Sequence, residues 1–128
     1  MNSIILLAVS TVTMGFSPPA VSSTAQVFDR DSRLLAEARF DARSDSFAVT
    51  KQAGSDGRAY LEYRYLRTDG TLQTGTHAAS REPGETVRFP HDFTAGRTVT
   101  FRVCVSGEHA FNACSAGADG ENWTVGIA

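Results

Sequence analysis

From Leu35 onward, apolar and polar residues alternate with a period of two, in runs cut short by turn residues. Successive side chains of a strand point to opposite faces, so this alternation predicts half-buried β-strands. The clearest run is Arg58 to Arg67, with Ala59, Leu61, Tyr63 and Tyr65 on one face and Tyr60, Glu62 and Arg64 on the other. Arg97 to Val105 repeats the pattern, with Val99, Phe101, Val103 and Val105 facing one way. These two runs nominate Leu61, Tyr63, Val99, Phe101 and Val103 as core, and Glu62, Arg64, Thr100 and Arg102 as solvated. Shorter runs follow the same rule at Leu35–Phe40, Phe47–Thr50, Thr71–His77, Thr86–Phe89 and Glu121–Ile127. A helix competes locally over Leu34–Phe40, because Leu, Ala and Glu favour it. The shortness of the run and its strand-rich surroundings decide for a strand.

Turn residues punctuate the runs: Asp41–Ser46, Gly54-Ser-Asp-Gly57, Asp69-Gly70, Arg81-Glu-Pro-Gly84 and Ala95-Gly96. Asp-Gly between two strand-like runs predicts a hairpin with a type I′ turn. About seven short strands at such spacing predict an all-β, antiparallel β-sandwich.

The N-terminus breaks the alternation. Its first charged side chain is Asp29, and Ile4 to Met14 forms an apolar core followed by Pro18-Pro19 and a Ser23-Thr-Ala25 exit. That layout reads as a secretory signal peptide over residues 1–25. The apolar run is shorter than the roughly 20 residues that a spanning helix needs. Small residues at −3 and −1 favour cutting after Ala25, with Ser23 at −3; cutting after Ala20 places Pro18 at −3. The competing reading is a buried N-terminal strand over Ile4–Val9. Residues 26–34, with Asp29-Arg-Asp-Ser-Arg33, read as a charged leader, and 35–128 as the single sandwich domain.

Charge narrows the functional classes. The net charge is −2 and the pI about 5.9. Arginines outnumber lysine 11 to 1 but are scattered among acids. With no basic stripe to neutralise phosphates, nucleic-acid binding is not expected.

The only cysteines, Cys104 and Cys114, lie ten positions apart. In an exported chain they are expected to be joined, with Cα atoms at the usual 4.4–6.8 Å, giving roughly 2–3 kcal/mol of stabilisation. Cys104 is out of phase with Val103 and Val105, so it belongs to the opposite face of its strand. A zinc site is disfavoured, since zinc takes four ligands and only His109 is near.

Together, Phe47-Ala-Val-Thr50, Ser55-Asp-Gly-Arg58 leading into an alternating strand, and Phe101-Arg-Val-Cys104 with a second Cys about ten residues on resemble small secreted actinobacterial β-sandwich proteins of uncharacterised function. The resemblance spans roughly residues 37–116 and departs after Cys114, where Ser115–Gly120 precedes Trp123 in place of an early aromatic. It implies a fold and an extracellular setting, and no activity.

Candidate chemistry is sparse. His77, His91 and His109 are far apart in sequence, and a set such as Ser106, His109 and Asp119 carries no local signature of nucleophilic catalysis. Asp29 and Asp31 lack the Gly and bidentate Glu of a calcium loop. Glu62 and Asp69 are paired-carboxylate candidates for glycoside hydrolysis only as acids in general are. Asn122-Trp-Thr124 matches a glycosylation sequon. Two features invite a binding role. Tyr60 on the wet face and Trp123 on the last strand could form an exposed aromatic pair suited to stacking on sugars, although the favoured reading of Trp123 is a plug at the end of the core. The disulfide-closed loop 105–113 would present Phe111 at little entropic cost, as in an enzyme inhibitor. The expectation is a secreted, monomeric, non-enzymatic binding module without cofactor or metal, whose partner is an extracellular protein or glycan.

Overall fold

The computed structural model describes residues 22–52, 57–107, 113–116 and 123–128. Among these, nine strands form two antiparallel sheets packed as a sandwich: β1 (Ser22–Phe28), β2 (Leu34–Asp41), β3 (Ser46–Lys51), β4 (Arg58–Leu66), β5 (Leu72–Ala78), β6 (Thr86–Pro90), β7 (Thr98–Ser106), β8 (Ala113–Cys114) and β9 (Thr124–Ile127). One sheet has the order β1-β2-β3-β6; the other runs β5-β4-β7, with β8 and β9 sharing the far edge of β7.

The seven expected strands are all present. The register of β4 on β7 places Leu61 opposite Val103 and Tyr63 opposite Phe101 on the inner face. All five nominated core residues are buried. From the facing sheet come Ala36, Ala38 and Phe40 of β2 and Phe47 and Val49 of β3, also buried. Phe47 joins the layers: its ring centroid lies 5.1 Å from Phe40, 5.3 Å from Tyr63 and 5.5 Å from Phe101. These spacings match tilted aromatic packing.

Phe93, between β6 and β7, is a core residue that alternation could not nominate. It is 7% exposed. Its backbone N–H donates to Asp45 Oδ2, and the next N–H, of Thr94, donates to the Tyr65 hydroxyl at 2.9 Å. Asp45 takes a positive φ of 53° in the β2–β3 turn, a conformation that Asp tolerates better than most residues.

Several expectations change in detail. The Asp69-Gly70 hairpin is not type I′. Only Gly70 has positive φ, at 89°, and the Gly70 N–H donates to the Arg67 carbonyl while Arg67 N–H donates to Thr71. The loop is one residue too long for two-residue geometry, so it adopts a turn followed by a left-handed glycine. The last strand begins at Thr124. Glu62, Thr100 and Arg102 are half-buried instead of solvated, because other side chains cover the outer face as well.

The disulfide is formed, between directly facing residues of β7 and β8. Its Cα separation is 4.0 Å, below the expected span. Ser115 N–H donates to the Val103 carbonyl and Ser115 Oγ accepts from Val103 N–H, which makes 103/115 the hydrogen-bonded position and leaves 104/114 at the narrow one.

Residues 26–34, read as a leader, instead contribute Gln26–Phe28 to β1 and then turn through Asp29–Arg33, where Asp29 Oδ1 accepts from the Asp31 and Arg33 N–H groups. The Asp29/Asp31 pair thus builds a turn. The strand begins at Ser22, pairs with β2 from Ser22↔Asp41 onward, and buries Ala25 and Val27. A cut after Ala25 would remove Ser22–Ala25 from it.

Two outcomes follow for stability. Phe101→Ala is expected to cost about 3–5 kcal/mol in denaturant unfolding, whereas Leu72→Ala, at a position 57% exposed, should change it by less than about 0.5 kcal/mol. A chain starting at Gln26 should be less stable than one starting at Ser22 by roughly 1–3 kcal/mol, the worth of a few ladder hydrogen bonds at about 1 kcal/mol each. Equal midpoints for the two chains would show that the upstream half of β1 contributes nothing.

Candidate functional site

Alternation along β4 puts Arg58, Tyr60, Glu62 and Arg64 in a row on the outer face of the five-stranded sheet. Their cross-strand partners are Ala78, Thr76 and Thr74 on β5, and Ser106, Cys104, Arg102 and Thr100 on β7. This face carries two adjoining grooves, and Thr76 lines both.

The larger groove, about 580 Å³, sits where β4 begins and β5 ends. Its lining brings together Lys51, Arg58, Arg81 and Tyr60 with the hydroxyls of Thr76, Ser80 and Ser106, and among the described residues includes no carboxylate or imidazole. Two local features assemble it. The turn carrying Arg81 is tied back to β3 by Gly84 N–H donating to the Lys51 carbonyl at 2.7 Å. The chain before Arg58 runs hard against β7: a Cβ on Gly57 would stand 1.8 Å from the Ser106 carbonyl oxygen, so only glycine fits there. Among the described residues its lining carries three cations, in a chain of net charge −2.

The smaller groove, about 260 Å³, is bounded by Glu62, Arg64, Arg102 and Trp123. Glu62 Oε1 accepts from Arg102 Nε at 2.8 Å and pairs with its Nη2 at 2.7 Å. The Trp123 ring centroid lies 3.9 Å from the Arg64 guanidinium carbon and 4.6 Å from that of Arg102. Cation–π attraction of this kind is favourable where water is partly excluded. Trp123 therefore packs on the outer face and does not plug the core. Tyr60 and Trp123 share one face, and both are half-buried at the groove walls instead of exposed.

The other candidates separate. Cys104 and Cys114 form their bond beside Tyr60, since Cys104 faces Tyr60 across the sheet. Phe111, His109, Asp119 and Asn122 lie outside the described residues, as does most of the loop 105–113. Glu62 is held by Arg102. Asp69 stands in the β4–β5 turn, where hydrogen bonds from the Thr71 hydroxyl and N–H hold its carboxyl below the usual range. The two acids do not converge.

Sequence reasoning missed two meetings. Lys51, Arg58 and Arg81 converge only through the β3–β4 crossover and the Arg81 turn; the period-two phase shared by Arg58 and Tyr60 was the one available signal. His77 and His91 meet on the opposite, inner side, across the gap between β5 and the end of β6, with Nε2 atoms 2.8 Å apart. Burial lowers the pKa of both, His91's charge adds to the effect at His77, and the Asp45 carboxylate opposes it at His91.

The outer-face stack yields a direct expectation. Arg102→Ala removes the Glu62 ion pair and one of the two guanidinium contacts of the only tryptophan. Stability should fall by about 1 kcal/mol, with a red shift of tryptophan emission as the ring becomes wetter. Emission identical to that of the unsubstituted chain would contradict the stack.

No family model, curated protein or solved structure matches the chain.

Proposed function

We propose that the protein is a secreted, monomeric, non-enzymatic binding module, and that it takes an acidic glycan, a saccharide bearing carboxylate groups, on the outer face of its five-stranded sheet. The observation that carries this reading is the convergence of Lys51, Arg58 and Arg81 with Tyr60 in one groove. Guanidinium groups grip carboxylates through paired, charge-assisted hydrogen bonds, and three cations gathered in one groove favour an anion. Tyr60 offers a ring against which a pyranose can stack, and the hydroxyls of Thr76, Ser80 and Ser106 match sugar hydroxyls. The adjoining groove at Trp123 extends the surface beyond one sugar unit.

Export accords with the formed disulfide and the apolar N-terminus. Because β1 starts at Ser22, processing upstream of that residue, as after Ala20, keeps the strand whole.

Affinity electrophoresis through gels containing polygalacturonate or a neutral dextran tests the reading. Retardation is expected in the acidic polymer, weakening with added salt, and in Arg58→Ala or Arg81→Ala by about tenfold each, the equivalent of one charge-assisted contact at ~1.4 kcal/mol. Equal retardation by the neutral polymer, unaffected by either substitution, would overturn it.

A further inference from the structure

We propose that His77 and His91 form a binding site for a divalent late transition-metal ion, best matched by Cu(II), which links the two sheets at their open side. His77 projects from β5, an edge strand of one sheet; His91 follows β6, an edge strand of the other. The pair therefore stands where no backbone ladder joins the layers.

The geometry suits two nitrogen ligands. The Nε2–Nε2 distance is 2.8 Å. Metal–imidazole bonds of about 2.0–2.1 Å put two nitrogens about 2.9 Å apart at a right angle and about 3.3 Å apart at a tetrahedral one. The observed separation is the right-angle case, the arrangement of tetragonal Cu(II) and Ni(II) sites, and Cu(II) tops the affinity order among divalent ions.

Packing sets both rings in advance. His77 stacks on Phe89, with centroids 4.2 Å apart and planes 8° from parallel, and on Tyr63 at 5.5 Å and 18°. His91 stacks on Phe93 at 4.6 Å and 8°. Tyr63 has room for its ring because it faces Gly75, where a Cβ would approach a ring carbon to 2.5 Å. Backbone contacts fix His91 further: its N–H donates to the Asp45 carbonyl at 2.8 Å. Asp45 Oδ1 is buried without a hydrogen-bond partner, and its negative charge faces the His91 side of the site. Among the described residues no third His, Cys, Asp or Glu joins the pair. Both histidines remain partly exposed, so water completes the coordination shell.

The test uses the full chain with its disulfide intact, stripped of metal and titrated with CuCl2, NiCl2 or ZnCl2. A rise in Tm of roughly 5 °C or more is expected, saturating at one ion per chain and largest for copper. Pulsed electron paramagnetic resonance of the copper form should show two imidazole ligands. His77→Gln and His91→Gln should each abolish the rise, while His109→Gln keeps it. A titration without a Tm shift, or a shift retained by the His77→Gln/His91→Gln double variant, would mean that the pair is a hydrogen bond and nothing more. If either substitution unfolds the chain, the spectrum of the unsubstituted copper form decides, and one lacking paired imidazole couplings contradicts the site.

Discussion

The pairing of β4 with β7 governs both faces of the molecule. Its register sets Leu61 against Val103 and Tyr63 against Phe101 inside, and Tyr60 against Cys104 and Glu62 against Arg102 outside. A slip by one residue would exchange the faces, placing Glu62 and Arg102 in the core and Tyr63 and Phe101 in water. The cost of burying those charges adds to the apolar gain in holding the register. Phe47 then bridges from the opposite sheet onto Tyr63 and Phe101, and Phe93 touches both Phe40 and Tyr65, so aromatic side chains join the two layers.

The remaining strands protect this pair. On the far edge of β7, two short strands divide the work: β9 covers Thr98–Phe101, and β8 covers Cys104–Val105. A two-residue strand holds little by itself, since isolated pairings this short are marginal. The disulfide and the Ser115–Val103 exchange keep β8 in place. That same staple includes Cys104, the residue that faces Tyr60, so the covalent link that closes the sheet edge stands beside a residue of the cationic groove. On the other side, β5 and β6 belong to different sheets and meet through side chains, the His77–His91 contact among them.

The fold was largely legible because the sandwich is built from alternation, and alternation is a local signal. Leu61, Tyr63, Val99, Phe101 and Val103 announced themselves by phase, as did the outward Tyr60 and Cys104. What alternation cannot carry was lost. β1 was hidden because Ser22–Ala25 has the small, polar composition of a processing site, and only pairing with β2 makes it a strand. Phe93 sits in a connection, and its burial comes from the Asp45 carboxylate gripping its N–H. The groove depends on Lys51, Arg58 and Arg81 meeting across strands, and no spacing within the chain encodes such a meeting. The bulged Asp69-Gly70 loop differs from the expected tight turn because loop length, set by the pairing of Leu66 with Leu72, overrides the preference of the dipeptide.

The proposed recognition surface lies at one end of one face, and residue-resolved nuclear magnetic resonance during titration with a trigalacturonate tests that proposal most directly. Backbone amide shifts should move at Arg58, Tyr60, Thr76, Ser80 and Arg81, with smaller changes reaching Trp123 and none on the β1–β2 surface. Shifts confined to β1 and β2, or absent throughout at saturating saccharide, would contradict the assignment of this face as the binding site.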